Sequence, residues 1–367
     1  MVVLRVTTCG IGLMMAATVA FAQADLDRQV CMDGRDPGAS ISACTRLIED
    51  GNLGDTGLST AFHNRGIHLA NVTEFERAIA DFSKAIQIRA LHPAAYNARG
   101  NAYYKMGDFE RAIQDYDAQI KINPSHEEAY NGRGMAYVAK GQLDRAIEDF
   151  DKQIRIDLGH AHAYNSRGLA YAAKSQFDRA IEDFNRQIRI DPGHAHAYNS
   201  RGLAYAGKSQ FDRAIEDFDR QIEIDTRHPD AYNNRANAFL GKGDPDRAVQ
   251  DYDAQIAVNP RHRHAYGGRG RAYLLKGQFA RAIRDFDAQI EIDPRDANSY
   301  SGRAQAYLIV GNLVQALLDA EHALKLRPDD PYFLHTRGSI FMALGRHDEA
   351  LADFRQVLTK GRPHPEL

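Results

Sequence analysis

The chain has 367 residues, 46 basic and 49 acidic side chains, a net charge of −3 and 15 histidines. So near a charge balance excludes the strongly basic surface that tracks nucleic-acid phosphates, so no nucleic-acid partner is expected. Past residue 22 no apolar run approaches the length of a membrane-spanning helix.

Residues 1–22 read as a secretory signal, with Arg5 as the positive region, residues 11–21 as the apolar run and Ala20-Phe21-Ala22 as an A-x-A cleavage site. Cleavage would start the mature chain at Gln23, and an uncleaved anchor is the alternative. Removing that segment takes Cys9 with it and leaves Cys31 and Cys44. An even count in an exported chain reads as a disulfide. Two buried thiols are the other possibility, and two cysteines alone make only half a zinc site. The expected location is the periplasm, or outside the cell. Residues 39–48 read as a short helix with Ile41, Cys44, Leu47 and Ile48 available for packing, so 23–58 forms an N-terminal cap segment.

From Ser59 the sequence repeats every 34 residues without insertion. The nine units are 59–92, 93–126, 127–160, 161–194, 195–228, 229–262, 263–296, 297–330 and 331–363, followed by a tail, 364–367. The fourth and fifth agree at 29 of 34 positions. A fixed period of this size marks an array that grows in one dimension and needs no second core. In each unit, small or apolar residues fall at positions 4, 8, 11, 20, 24, 27 and 28, as in Tyr164, Gly168 and Tyr171, then Ala180, Phe184, Gln187 and Ile188. These are the faces of two helices. Position 15 between them is Gly in six units and Ser or Thr in three, a residue suited to stopping the first helix. Each unit is therefore an antiparallel helix pair, helix A then helix B.

This pattern, with Tyr164, Gly168, Tyr171, Ala180, Phe184 and the closing Pro192, resembles the tetratricopeptide repeat (TPR). The resemblance implies an all-α fold, a right-handed α-solenoid of nine stacked helix-turn-helix units, with residues 39–48 as the capping helix. Ala236, Ala304, Ala320, Leu158 and Thr226 depart from it locally. One departure recurs in every unit: position 7 is Arg and position 23 is Asp. With the turn near position 15, positions whose numbers sum to about 30 lie level across the hairpin. A ladder of structural Arg–Asp pairs is expected, including Arg167 with Asp183 and Arg201 with Asp217, setting register more than net stability.

The resemblance also implies a concave surface lined by helix A at positions 2, 5, 9, 12 and 13. Here these positions give an amide ladder, Asn97, Asn131, Asn165, Asn199 and Asn233, beside a floor that includes Val138, Leu169, Leu203, Leu240, Leu274 and Leu308. A side-chain amide both donates and accepts, which suits an extended peptide backbone; bonding within their own repeats is the alternative. Glu128, Asn131, Gly132 and Met135 do not carry the Lys/Asn/Arg clamp by which some members of the family grip a chaperone's C-terminal carboxylate.

No phosphate loop, nucleophile elbow or metal-hydrolase motif is present, so no catalytic residue and no cofactor is expected. His-x-His pairs recur at the joints (His160 with His162, His194 with His196, His262 with His264), but no carboxylate or thiol is fixed beside them, so no metal site is expected. Acidic positions 18, 22 and 25 read as a solvated convex face. The expectation is a non-catalytic scaffold binding a protein or peptide partner along helix A. A structural protein that self-associates through its uncapped C-terminal repeat is the second reading.

Overall fold

The computed structural model describes residues 23–228 and 230–360. The expected signal segment, the end of the ninth repeat and the expected tail lie outside the described residues. The chain divides at Lys174/Ser175 into two units, each described by itself.

Among the described residues the first unit holds nine helices: α1 (residues 23–33), α2 (Pro37–Glu49), α3 (Asp55–Asn71), α4 (Phe75–Ile88), α5 (Pro93–Lys105), α6 (Phe109–Ile122), α7 (Glu127–Ala139), α8 (Leu143–Ile156) and α9 (Ala161–Ala173). The second contains α10 (Phe177–Ile190), α11 (Ala195–Gly207), α12 (Phe211–Ile224), α13 (Ala231–Gly241), α14 (Pro245–Val258), α15 (Arg263–Leu275), α16 (Phe279–Ile292), α17 (Ala297–Ile309), α18 (Leu313–Leu326), α19 (Pro331–Ala343) and α20 (His347–Lys360). No strand occurs among the described residues. In each unit, successive helices pack as antiparallel neighbours. Helices A also touch the next helix A, α3 to α5 to α7 to α9 in one unit and α11 to α13 to α15 to α17 to α19 in the other. Stacked hairpins of this kind are an α-solenoid.

Two local devices set the hairpin. Position 15 is left-handed in every repeat: Gly243 has φ 82°, and Thr73, Ser175 and Ser209 take the same conformation with φ 63°, 56° and 57°. The aromatic at position 24 then fills the gap between backbones. The Tyr116 ring sits against Gly100 and Gly132, where a Cβ would approach it to 2.9 and 2.6 Å. Phe286 does the same against Gly270 and Gly302, at 3.0 and 2.6 Å. Each ring is thus clamped by position 8 of its own repeat and position 6 of the next. Burying such a ring contributes about 2–3 kcal/mol.

The cap holds one helix more than the sequence suggests. Helix α2 begins at Pro37 with Asp36 accepting from the Gly38 and Ala39 amides, and α1 precedes it. The Cys31–Cys44 disulfide joins the two helices. Arg46 adds bonds to Asp27 at 3.0 and 2.6 Å. Cys31 and Cys44 form a small core with Ala43 and Leu47. The α1 stretch is polar and too short to show an apolar period, so nothing in the sequence marked a helix there.

Candidate functional site

The helix-A face carries the predicted amide ladder, but its members differ in environment. Asn131 and Asn165 are half-buried. Asn199 accepts from Asn234 Nδ2 of the next repeat at 2.8 Å. Asn97 Oδ1 and Asn233 Oδ1 are buried without a hydrogen-bond partner, and Asn233 is only 7% exposed. Below the ladder lies a row that the apolar pattern had concealed: Gln at position 27 of helix B. Gln119 and Gln221 are fully buried, and neither atom of either amide makes a hydrogen bond. Gln289 lies beneath position 5 of its own repeat, where a Cβ on Gly267 would come within 2.1 Å of its oxygen.

On the same face Leu169 and Leu203 stand 48% exposed. Leu240 leans instead on the core around Phe239 and Tyr252. Leu274 lines a cleft of about 670 Å³ in the second unit, together with Asn233, Gly267, Gly268, Arg271, Asn298 and Tyr332.

Position 9 holds residues that sequence reasoning passed over. Tyr116 Oη donates to Asn101 Oδ1, and Tyr252 Oη to Asn237 Oδ1, each at 2.7 Å. Tyr occurs at position 24 in these two repeats alone, and Asn at position 9 in the same two. That coincidence was the available signal. Burial pushes both phenols well above their ordinary pKa, so both hydroxyls remain donors.

Arginines at position 7 bind carboxylates side-on. Arg269 donates from Nε and Nη2 to Asp285 at 2.8 and 2.7 Å. Arg201 meets Asp217 in the same way, at 2.9 and 2.5 Å. The two remaining predicted members lie in different units: Arg167 donates to Asp151 at 2.5 Å, and Asp183 is buried. Donating to Asp285 holds the Arg269 pKa above its ordinary value despite burial. The aspartates at position 25 stay partly exposed, and each also accepts Nη1 of the following repeat's arginine, as Asp253 does from Arg269 and Asp219 from Arg235, both at 2.5 Å. Position 18 likewise meets the next repeat, with Lys208 bonded to Asp178 and Lys242 to Asp212. These pairs are close in space but 30 residues apart in the chain.

Joint histidines find partners nearby: His160 with Gln153 at 2.8 Å, His228 with His196 at 3.3 Å, and His262 with Asp230 at 2.9 Å. Among the described residues no three His, Cys, Asp or Glu side chains gather as metal ligands. No described helix is long and apolar enough to cross a membrane.

A family model described as TPR repeat matches residues 74–107 and 100–141. A second, described as tetratricopeptide repeat, matches 131–195, 165–231, 233–297 and 301–365. Among solved structures, the chain is similar to a tetratricopeptide repeat protein from Parabacteroides merdae ATCC 43184, with 20% identity and TM-score 0.57 over 68% of this chain and 98% of that one. It is also similar to the C-terminal part of a TPR repeat-containing protein from Cytophaga hutchinsonii, with 20% identity and TM-score 0.53 over 65% and 97%. The Cut9–Hcn1 hetero-tetramer of APC/C follows at 16% identity and TM-score 0.52, covering 85% of this chain and 59% of that one. At such identities the likeness is one of fold. No curated protein sequence matches the chain.

Proposed function

The chain belongs to the tetratricopeptide repeat family, and from that premise we propose that it is a non-catalytic scaffold whose helix-A face holds an extended segment of a partner protein. The observation that carries this reading is an unsatisfied amide oxygen on helix A in each unit, Asn97 Oδ1 in the first and Asn233 Oδ1 in the second. Leaving a polar group buried and unpaired costs about 1–3 kcal/mol. A backbone N–H of an extended segment satisfies such an acceptor, while half-exposed Leu169 in the first unit and Leu203 in the second each offer apolar contact to a guest's side chains. Export to the periplasm belongs to the same reading, since the Cys31–Cys44 bridge suits an oxidising compartment.

The test is site-specific photocrosslinking in cells, with the reactive side chain at Leu203 and, as a control, at exposed Glu182 on helix B. Discrete adducts at Leu203 and none at Glu182 are expected. Equal labelling at both positions overturns the reading.

Self-assembly through the last repeat is a second reading, supported by the exposed Met342, Leu351 and Leu358 of α19 and α20. It predicts concentration-dependent oligomers in light scattering that Leu358→Glu abolishes.

A further inference from the structure

The cleft of the second unit, at about 670 Å³, has the size of a ligand site. Its acidic groups are engaged by the protein itself. Asp296 Oδ2 accepts from Gln289 Nε2 and Ser299 Oγ, both at 2.5 Å, and its Oδ1 accepts from the Asn298 amide at 3.3 Å. Asp330 Oδ1 caps α19 by accepting from the Tyr332 amide at 3.0 Å. The other oxygen of Asp330 faces Arg327 at 3.6 Å, and Arg327 also donates to Asn298.

Arg271 is the charge left over. It lines the cleft from α15, exposed, beside the Tyr252 hydroxyl, and forms no ion pair with a described carboxylate. Position 9 carries a charge in no other repeat. Burial, with Arg263 and His262 nearby, lowers the pKa of His264, so that ring adds no charge near neutral pH.

A second group in the cleft has an open bonding position. Asn233 is 7% exposed, lines the cleft from α13, and presents an Oδ1 with no donor. The floor between these groups is glycine. Gly268 and Gly302 admit the Tyr252 and Phe286 rings from below, where Cβ atoms would come within 2.3 and 2.6 Å of them. Arg271 stands mid-cleft, with Asn233 on the repeat before and Asn298 and Tyr332 toward the repeats after. A chain lying there runs past it in both directions.

We propose that this cleft binds an extended protein segment through an internal Asp or Glu side chain placed on Arg271, with a backbone N–H of that segment donated to Asn233 Oδ1. The inference rests on the groove reading above and adds the chemistry of the partner and the repeats that read it. A guanidinium is the fitting group because its planar fork meets a carboxylate with two parallel bonds.

The experiment pans a random-peptide phage library on the full chain and on Arg271→Gln, with Leu203→Glu as a groove control. Enrichment of internal Asp or Glu on the native chain, lost on Arg271→Gln, is expected. The best binder is then synthesised as free acid, as C-terminal amide, and with its acidic residue changed to the corresponding amide residue. Acid and amide forms should bind alike. The side-chain change and Arg271→Gln should each weaken binding about tenfold, and together no more than either alone. Arg271→Lys should recover part of the loss. Binders with no acidic preference, indifferent to Arg271→Gln yet lost on Leu203→Glu, overturn this inference and leave the groove reading standing. Loss of binding on C-terminal amidation also overturns it, since the carboxylate is then terminal. A library that yields no binder overturns both.

Discussion

Arg201 holds Asp217 of its own repeat with two bonds, at 2.9 and 2.5 Å, and reaches back with Nη1 to Asn185 of the preceding repeat at 2.5 Å. One side chain thus closes a hairpin and joins it to its neighbour. The Asp217 side chain is 5% exposed and that of Arg201 20%, so removing either partner strands a largely desolvated charge. Asp217→Ala should destabilise by about 3 kcal/mol, and the double change to Leu at both positions by clearly less than the sum of its singles. Lys208→Ala, which removes the rung to exposed Asp178, should stay within about 0.5 kcal/mol. Urea midpoints of these variants check the contrast.

The Tyr116–Asn101 bond ties the core to the helix-A face. Asn101→Leu leaves the fully buried Tyr116 with no acceptor for its hydroxyl and should cost about 1–3 kcal/mol. Adding Tyr116→Phe should recover most of that loss. Double-mutant analysis of thermal stability gives the answer, and additive losses would contradict the pairing.

Ser209 is left-handed at φ 57°, where six other repeats place glycine. For a residue with a Cβ this conformation costs about 1–2 kcal/mol, part of which glycine's greater unfolded-state freedom offsets. Ser209→Gly should raise stability by about 0.5–1 kcal/mol. Ala at the same position should not. Denaturant titration of the two variants separates them.

His228 is 7% exposed, its Nε2 lies 3.3 Å from His196 Nδ1, and Asp225 and Asp230 are also near. Burial first, then His196, lowers its pKa. A histidine with a depressed folded pKa lends stability above its unfolded value, about 6.5, and that stability is lost as pH falls. The thermal midpoint should drop between about pH 7.5 and 5.5, and His228→Asn should reduce the drop. Hydrogen exchange should place the opening at the start of α13, and an unchanged midpoint would contradict the sign.

The hairpins were legible because their signals are local. The apolar positions, the position 15 turn and the span from Arg201 to Asp217 all lie within one 34-residue unit, and antiparallel helix geometry fixes which residues lie level. The Cys31–Cys44 bridge was legible from cysteine arithmetic. The amide positions were legible too, though not their surroundings: Asn199 is bonded to Asn234, while Asn233 is buried with an open acceptor.

What the sequence determined by itself was the period, the helix pair and the residue types at each level of it. What only the tertiary structure decided was which repeat each side chain serves. Arg269 reaching Asp253, Lys242 reaching Asp212 and the Phe286 ring against Gly302 all join neighbouring repeats. A strict period carries no information about that choice, because Arg at position 7 and Asp at position 23 recur in every repeat. The rotation and offset between stacked hairpins select the partner. Arg271, without a carboxylate partner, became visible on the same ground, once the structure had assigned Asp296 and Asp330 of the same cleft to other bonds.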